Sequence, residues 1–291
     1  MPRAIRPRRS LLYMPGSNAR ALDKARTLPA DVLIMDLEDA VAPDAKDEAR
    51  RLACEAVRAG GYGRREVLVR VNGMATPWGY DDIVAQAASG ADGILLTKVE
   101  GPGIVRQVES LLDVHGAAPE MAIWCMVETP LGVLHAERIA GAGPRLAGFV
   151  MGTSDLAKDL HASHTLDRVP MLTSLSLCLL AARAFGLAIV DGVHLDLADH
   201  EGFVRACRQG AELGFDGKTL IHPSQIGPAN DAFAPTDDSV AKARRIIDAH
   251  QEAGAAGKGV VVVDGRLVEN LHVEQARRTL ALAEAIQAMA A

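Results

Sequence analysis

Charged side chains stand at the ends of several apolar segments in this sequence of 291 residues. Glu128 closes the segment "AIWCMVE", Asp155 follows "VMGTS", and Arg70 ends "EVLVR". Two carboxylates with water or substrate oxygens suit Mg²⁺ or Mn²⁺, because these ions prefer oxygen ligands. A planar guanidinium can clamp a carboxylate or carbonyl oxygen of a substrate. We therefore predict a divalent-metal site at Glu128 and Asp155 with Arg70 nearby. In the alternative, Glu128 pairs with Arg70 or Lys98 and no metal binds.

Two further acidic residues, Glu38 and Asp39, follow the apolar segment "VLIMD". At the end of a neighbouring strand they would lie close to the metal and orient its waters. An alternative interpretation makes Asp39 the N-cap of a helix.

Two glycine-containing turns lead from an apolar segment into a helix. In "VMGTSDLAKDL" the backbone N–H groups near Gly152 can hold an anion. In "MPGSNARALDKA" the side chains of Arg20 and Lys24 follow the turn, which suits a phosphate or a carboxylate. An ordinary helix capped by Ser17 or Asn18 explains the second turn equally well.

Lysine and histidine side chains on other segments have two interpretations each. Lys98 and Lys218 could form a Schiff base with a carbonyl substrate, or they could simply pair with the acidic residues. For His222, His194 and Asp191 we favour a structural or supporting role over general base catalysis.

The charged residues belong to a repeating order of strands and helices. Short apolar, β-branched segments alternate with stretches of helical periodicity that often end in glycine. Eight such strand–helix units predict a (β/α)8 TIM barrel, whose active site lies at the carboxyl ends of the strands. A doubly wound open sheet is the alternative. The predicted strands are 10–14, 32–38, 66–72, 93–99, 122–128, 148–154, 188–195 and 218–223.

The pattern changes after Pro228. A helix and a Gly-Ala linker precede "GVVVVDGRLVEN", in which Asp264-Gly265 predicts a two-residue hairpin turn, and an amphipathic helix follows. We predict a catalytic barrel domain at 1–228 and an extension of helix, hairpin and helix at 229–291. We expect this extension to cover a barrel mouth, and we favour that of a neighbouring subunit.

Composition narrows the class of protein. The hydrophobic content of 49% suffices for a large core, and the net charge of −6 indicates no general affinity for nucleic acid or anionic membranes. No apolar segment reaches the roughly 20 residues of a membrane-spanning helix. The four cysteines form no CxxC pair, so we expect free thiols and a cytoplasmic location. Arg3, Arg6, Arg8 and Arg9 are interpreted as a solvated N-terminal arm.

The order and spacing of several motifs resemble a known family. "RSLLYMPGSNARALDKA", "DVLIMDLEDAVAP", "VRVNG", "DGILLTKVE", "VETPLGV", "GTSDLAKDL" and "DGKTLIHPSQI" are similar to those of citrate lyase β-subunit-like proteins. These proteins form the CoA-thioester branch of the HpcH/HpaI aldolase superfamily. The resemblance covers about residues 8–285. It implies a (β/α)8 barrel, Mg²⁺ dependence and assembly as a homotrimer or hexamer.

The resemblance also implies a reaction and a metal centre. A 3-hydroxyacyl-CoA of the malyl-, citramalyl- or citryl-CoA type would be cleaved into acetyl-CoA, or a homologue, and a 2-keto acid. By match to the motifs, Glu128 and Asp155 are metal ligands and Arg70 polarises the thioester or keto oxygen. Glu38 and Asp39 match acidic residues near the metal waters.

Other positions carry substrate-binding roles by the same resemblance. The amides of Gly152 and Thr153 would hold the keto-acid carboxylate, and Arg20 and Lys24 match a region associated with the CoA phosphates. In the tail, Glu269 of "DGRLVEN" occupies the position of an aspartate that acts as acid or base at a neighbouring subunit's site. Its carboxylate is retained on a side chain one methylene longer.

Other activities fit the same motifs. A class I aldolase would use Lys98 without metal. A malyl-CoA thioesterase or a malate-synthase-like condensing enzyme would share the substrate but give different products. A citrate lyase β subunit would act on an acyl-carrier protein instead of free CoA.

Overall fold

The computed structural model describes residues 5–255 and 261–290 of the chain. These residues form two compact units, Arg8–Phe233 and the set made of residues 5–7 and 234–290. Arg3 of the predicted N-terminal arm and residues 256–260, which overlap the predicted Gly-Ala linker, lie outside the described residues. No helix in the described ranges combines the length and apolarity needed to cross a membrane.

The larger unit is a closed barrel of eight parallel strands, in which β1 pairs with both β2 and β8. This confirms the predicted (β/α)8 TIM barrel and excludes an open sheet. Every predicted strand is present, with bounds that differ by a few residues. The strands are β1 (Ser10–Pro15), β2 (Val32–Asp36), β3 (Glu66–Arg70), β4 (Gly93–Leu96), β5 (Ala122–Val127), β6 (Leu146–Met151), β7 (Ala188–Asp191) and β8 (Gly217–Leu220).

Helices connect the strands and surround the barrel. Several end at a glycine with positive φ, such as Gly214 at +103°, a conformation that glycine adopts without a Cβ clash. The helices of this unit are α1 (Ala19–Lys24), α2 (Lys46–Ala59), α3 (Gly79–Ala87), α4 (Pro102–Val114), α5 (Pro130–Leu134), α6 (Ala136–Ala140), α7 (Thr153–Asp159), α8 (Val169–Ala184), α9 (His200–Leu213) and α10 (Ile226–Phe233).

Side-chain alternation divides the buried residues into two cores. Leu12 on β1 packs in a large core between strands and helices, while its neighbour Leu11 packs with Ile34, Leu68 and Trp124 in a smaller core. Successive strand residues point to opposite faces, so the smaller core fills the barrel interior. The next inward positions along these strands lie at their carboxyl ends.

Two arginines of the predicted solvated arm are partly buried and pair with carboxylates of the barrel. Arg8 Nε lies 2.7 Å from Glu66 Oε2 at the start of β3, and its guanidinium lies 4.9 Å from the Trp124 ring centroid. Arg9 pairs with Asp31 at 2.8 Å. The prediction of a solvated arm was therefore wrong for both residues, because buried carboxylates at the amino end of the barrel recruit them.

The smaller unit contains α11 (Asp237–Ala255), β9 (Val261–Val263), β10 (Arg266–Val268) and α12 (Asn270–Ala290). β9 and β10 pair antiparallel, which confirms the predicted hairpin. Asp264 and Gly265 both have positive φ, 49° and 74°, as a type I′ turn requires. Arg245 Nη2 on α11 lies 3.0 Å from the Asp264 carboxylate.

All four cysteines are buried free thiols, as the sequence predicts. Burial raises the pKa of the Cys207 thiol to about 11. These side chains are therefore inert core residues.

Candidate functional site

The inward-facing positions at the carboxyl ends of the strands form a cavity of about 420 Å³. Tyr13, Asp36 and Arg70 follow the core residues of β1, β2 and β3, and Glu128 follows β5. The period-two alternation that fills the barrel thus also points these polar side chains into one space. Asp155 lines the same cavity from the first turn of α7.

Arg70 is held by Asp36, its register partner on the neighbouring strand. Arg70 Nε donates to Asp36 Oδ1 at 2.7 Å and Nη2 donates to Oδ2 at 2.6 Å. The same carboxylate accepts from the amides of Glu38 and Ala40 at 2.8 and 3.0 Å. A bidentate, buried pair of this kind fixes the plane of the guanidinium.

Glu38 and Asp39 flank Arg70. Glu38 Oε2 lies 3.0 Å from Arg70 Nη1, although the pair is not aligned as a hydrogen bond, and Asp39 lies at 3.6 Å. Burial raises the pKa of Glu38 to about 7, with Arg70 opposing the rise and Asp39 adding to it. This carboxyl can therefore exchange a proton near neutral pH. Asp39 is exposed.

Glu128 is a buried carboxyl whose Oε2 has no hydrogen-bond partner among the described residues. Its Oε1 accepts a hydrogen bond of 2.7 Å from the amide of Lys98, whose φ of 50° is uncommon for a side chain with Cβ. Thr129 then caps α5 by accepting from the Gly132 amide at 3.0 Å, so the turn after Glu128 is well defined. Burial raises the pKa of Glu128 to about 8, and the carboxylates of Glu38 and Asp155 add to the effect.

Gly152 leaves Glu128 open to the cavity. A Cβ atom at position 152 would lie 2.7 Å from Glu128 Oε2. The Gly152 amide already donates to the Val127 carbonyl at 3.0 Å. Because the Gly152 N–H is already hydrogen-bonded, this amide cannot take the predicted role of binding a substrate carboxylate. That predicted role is left to the amide of Thr153 at the start of α7.

Five carboxyl groups and two basic side chains meet in this region, which leaves three negative charges uncompensated when all are ionised. They are Asp36, Glu38, Asp39, Glu128 and Asp155, with Arg70 and Lys98. A divalent cation would offset most of this charge. Among the described residues no group of three or more His, Cys, Asp or Glu could by itself hold a metal ion. Two carboxylates, completed by water and substrate oxygens, fit Mg²⁺ better than a zinc site.

The two lysines of the strand ends, Lys98 and Lys218, lie beside carboxylates. Lys98 is about half exposed, with Nζ 3.9 Å from Glu38 Oε1. Partial burial opposes its charged form, but the nearby carboxylates, Glu38 foremost, outweigh this and raise the pKa of Lys98. Buried Lys218 lies 2.9 Å from Asp191 Oδ2, and Arg168 lies 2.6 Å from the same oxygen. These contacts favour the simpler interpretation, in which both lysines pair with carboxylates.

His222 and His194 occupy supporting positions. His222 Nδ1 accepts from the Ser224 amide at 3.2 Å and caps the short turn after β8. The His194 carbonyl accepts from Gln225 at 3.1 Å. These contacts agree with the structural role favoured by the sequence.

Of three other predicted site residues, Arg20 and Lys24 do not line this cavity, and Glu269 belongs to the smaller unit. Arg20 and Lys24 are exposed on α1, where Asn18 is the N-cap and accepts from the Ala21 amide at 3.1 Å. Glu269 lies between β10 and α12 in the smaller unit, and its amide donates to His272 Nδ1 at 3.0 Å. Their roles in binding CoA or moving protons stay predictions.

Two site residues are missing from the sequence-based set. Asp36 orients Arg70, and Tyr13 packs its ring over the same guanidinium at 4.8 Å. Strand alternation is the signal that could have found them, because both lie two residues beyond an inward-facing core position. Tyr13 in "SLLYMP" is otherwise indistinguishable from an apolar core residue.

Comparison with known proteins adds the family context. Residues 9–223 match the HpcH/HpaI aldolase/citrate lyase family. The (3S)-malyl-CoA thioesterase of Cereibacter sphaeroides (strain ATCC 17025 / ATH 2.4.3) is 51% identical over 291 residues, which cover 100% of both chains. The citrate lyase subunit beta of Leuconostoc mesenteroides subsp. cremoris is 37% identical, covering 96% of this chain and 94% of its own.

A lyase and a protein of known structure are also similar to this chain. The L-malyl-CoA/beta-methylmalyl-CoA lyase of the same Cereibacter strain is 35% identical over 99% of this chain and 98% of its own. The crystal structure of protein CitE from Mycobacterium tuberculosis with magnesium, acetoacetate and coenzyme A has a TM-score of 0.76 and 30% identity. It covers 98% of this chain and 100% of its own.

Proposed function

Because this chain belongs to the HpcH/HpaI aldolase/citrate lyase family, we propose that it is a Mg²⁺-dependent enzyme acting on a malyl-CoA-type 3-hydroxyacyl thioester. One observation carries the proposal. A single cavity at the carboxyl ends of the barrel strands contains buried Glu128, Asp155 and the clamped guanidinium of Arg70. Barrel enzymes place their catalytic residues at this end.

Glu128 and Asp155 are the residues that would hold Mg²⁺ or Mn²⁺. When bound, the ion supplies positive charge that offsets the carboxylates and polarises oxygen atoms of the substrate. Two properties of Glu128 support this assignment: its Oε2 accepts no hydrogen bond within the described part of the chain, and its pKa is raised. A buried carboxyl of this kind gains stability from a cation. The similar structure that contains magnesium, acetoacetate and coenzyme A supports it further.

The protein's own groups would act on the thioester. Arg70 is oriented by Asp36 so that its remaining N–H groups can donate to the thioester oxygen as negative charge develops there. Glu38, with a pKa of about 7, would take up or release a proton beside this oxygen. The amide of Thr153 would bind the carboxylate of the acid portion.

Hydrolysis is the first candidate reaction. Water attacks the thioester carbonyl carbon and loses a proton, and the thioester oxygen becomes negative. The C–S bond then breaks, and the CoA thiolate leaves and takes up a proton. The products are a malate-type acid and free CoA. The relative that is 51% identical along the whole chain and is named a (3S)-malyl-CoA thioesterase favours this reaction.

Carbon–carbon bond cleavage, the reaction predicted from the sequence, is the second candidate. A base removes the proton of the C3 hydroxyl, the C–C bond breaks, and a 2-keto acid leaves. The thioester enolate is then protonated to acetyl-CoA or a homologue. The malyl-CoA lyase and citrate lyase relatives at 35% and 37% identity favour it. Glu269, the proposed acid or base of the tail, would belong to this reaction.

The proposal also covers the oligomeric state of the enzyme, its location and the residues that bind the CoA phosphates. We expect a homotrimer or hexamer in which the tail covers a barrel mouth, a cytoplasmic location, and CoA phosphates bound by Arg20 and Lys24. Charge reversal of both basic residues should then raise KM for CoA thioesters far more than it lowers kcat. Sedimentation gives the subunit number.

Product analysis tests the function directly. The protein is incubated with Mg²⁺ and malyl-, citramalyl-, methylmalyl- or citryl-CoA, and free thiol and keto acid are both measured. Thiol without keto acid indicates hydrolysis, and keto acid with acetyl-CoA indicates cleavage. Loss of turnover in EDTA is expected, whereas turnover that survives EDTA together with borohydride trapping of substrate would favour the Lys98 aldolase.

Two ligand variants test the metal assignment. Glu128→Ala and Asp155→Ala should abolish Mg²⁺-dependent turnover, because the ion loses one of two protein ligands. Glu100→Gln, which changes an exposed acidic residue after β4, is the matched control and should keep full activity. Near-normal Mg²⁺-dependent turnover in either ligand variant contradicts the assignment, and a wild-type protein that releases neither product contradicts the function.

A further inference from the structure

Tyr13 is a partly buried residue of the candidate active-site cavity to which the reaction above gives no role. It faces the barrel interior from β1 and lines the cavity together with Arg70 and Glu128. Its hydroxyl oxygen is buried and has no hydrogen-bond partner among the described residues. The other two tyrosines differ, because Tyr62 donates to the Leu22 carbonyl at 3.2 Å and Tyr80 is exposed.

An unpaired buried hydroxyl destabilises the folded protein, so native structures rarely contain one without a partner or a function. Burial raises the pKa of Tyr13, with Arg70 opposing and Asp36 adding to the rise. The phenol therefore keeps its proton at all working pH values and remains a hydrogen-bond donor. Glu38 Oε2 is also buried without a hydrogen-bond partner among the described residues. This region therefore contains polar atoms that could form hydrogen bonds with a bound molecule.

The position of Tyr13 relative to Arg70 indicates what its hydroxyl serves. The Arg70 guanidinium lies 4.8 Å from the centre of the Tyr13 ring. Two of its nitrogens donate hydrogen bonds to Asp36, and these bonds fix the position of the guanidinium beside the ring. The Tyr13 side chain and the Arg70 guanidinium, both hydrogen-bond donors, thus line the same cavity side by side.

We propose that the Tyr13 hydroxyl is a second hydrogen-bond donor, beside Arg70, to the thioester oxygen on which negative charge develops. This inference rests on the proposed function. It holds for both candidate reactions, because the thioester oxygen becomes negative in the tetrahedral intermediate of hydrolysis and in the enolate of C–C cleavage. Tyr13 keeps its proton throughout, and none of its bonds forms or breaks.

Tyr13→Phe tests the proposal, with Tyr62→Phe as matched control. Removing one donor to an oxyanion commonly costs about 100-fold or more in kcat. With Arg70 still present we expect Tyr13→Phe to lower kcat by about 10- to 100-fold, while KM stays nearly constant and the melting temperature is unchanged or higher. Tyr62→Phe should behave oppositely, with normal kcat and a lower melting temperature, because it leaves the Leu22 carbonyl without this donor.

A third variant and a substrate analogue separate the hydroxyl from the ring. Tyr13→Leu also removes the packing on Arg70, so its kcat should fall further than that of Tyr13→Phe. The thioether analogue of malyl-CoA, which lacks the thioester oxygen, should bind wild type and Tyr13→Phe with the same affinity. A weaker affinity in Tyr13→Phe would mean that the hydroxyl contacts another part of the ligand, which overturns the proposal.

The outcomes distinguish this inference from the proposed function. A wild-type protein that releases neither thiol nor keto acid overturns both. A wild-type protein that turns over, with Tyr13→Phe retaining more than half of kcat, overturns the role of Tyr13 alone and leaves the proposed function intact.

Discussion

Replacing Glu128 by glutamine is expected to make the metal-free protein more stable and to abolish its response to Mg²⁺. Glu128 is 3% exposed, and burial raises its pKa from 4.5 to about 8. The folded protein therefore binds this proton more tightly than the unfolded chain does. The contribution of Glu128 to stability is greatest below about pH 4.5 and declines as the pH rises toward 8, where the buried carboxyl must ionise.

The size of the effect follows from the same pKa. A tenfold difference in proton affinity corresponds to about 1.4 kcal/mol, so the buried carboxyl costs about 3 kcal/mol at neutral pH. The glutamine side chain of the variant avoids this cost and can still accept a hydrogen bond from the Lys98 amide. For a barrel unit of this length we expect the melting temperature to rise by about 5–10 °C.

Thermal unfolding in EDTA and in Mg²⁺ measures the prediction. In EDTA the gap between Glu128→Gln and wild type should be small near pH 5 and should widen up to about pH 8. Mg²⁺ should stabilise wild type, most strongly at the higher pH, and should leave Glu128→Gln unchanged. Glu100→Gln should match wild type throughout, because Glu100 is exposed.

One result would refute this reasoning. If Glu128→Gln in EDTA unfolds at a lower temperature than wild type across the whole pH range, Glu128 is a stabilising anchor for the turn at Lys98. The carboxylate would then not be held at a cost for a cation, and the metal assignment would lose its main physical support.

Three other substitutions test separate parts of the barrel unit. Arg70→Ala should lower kcat by about 100-fold or more and also reduce stability, because Asp36 is left buried without its partner; steady-state kinetics and urea unfolding measure the two effects. Asp191→Asn should cost about 3–5 kcal/mol near neutral pH by leaving Lys218 unpaired. Despite its burial, the paired cations lower the pKa of Asp191, so its stabilising effect is present above about pH 3.8 and fades in acid; a loss that persists unchanged in acid contradicts this. Gly152→Ala should weaken Mg²⁺ binding by crowding the neighbouring glutamate, and an unchanged Mg²⁺ titration would contradict the open-oxygen geometry.

Much of the barrel was predictable because its causes are local. Each strand appears in the sequence as an apolar, β-branched segment, and eight of them in alternation with helices specify the barrel. The Asp264-Gly265 turn forms as predicted because both residues tolerate positive φ. The ordered motifs identified the family correctly, since their spacing reflects the repeating strand–helix unit.

The candidate site was predictable at most of its charged positions, although Asp36 was missed, and not at neutral Tyr13. Glu128, Asp155 and Arg70 are conspicuous because charge at the end of an apolar strand needs a reason. Tyr13 carries no such signal, since an aromatic residue in a strand is ordinary. The Gly152 amide was misjudged because its hydrogen bond to Val127 crosses between two strands.

The order of residues along the chain specifies which segments become strands, which strand ends carry charge, and the family to which the chain belongs. Tertiary structure alone decided which of those charges neutralise each other. Asp36 with Arg70, Asp191 with Lys218, and Arg8 with Glu66 are paired across distant parts of the chain. The physical reason is that a buried charge is stabilised by whichever partner the closed barrel brings within a few ångströms. That proximity depends on strand register and not on spacing along the chain.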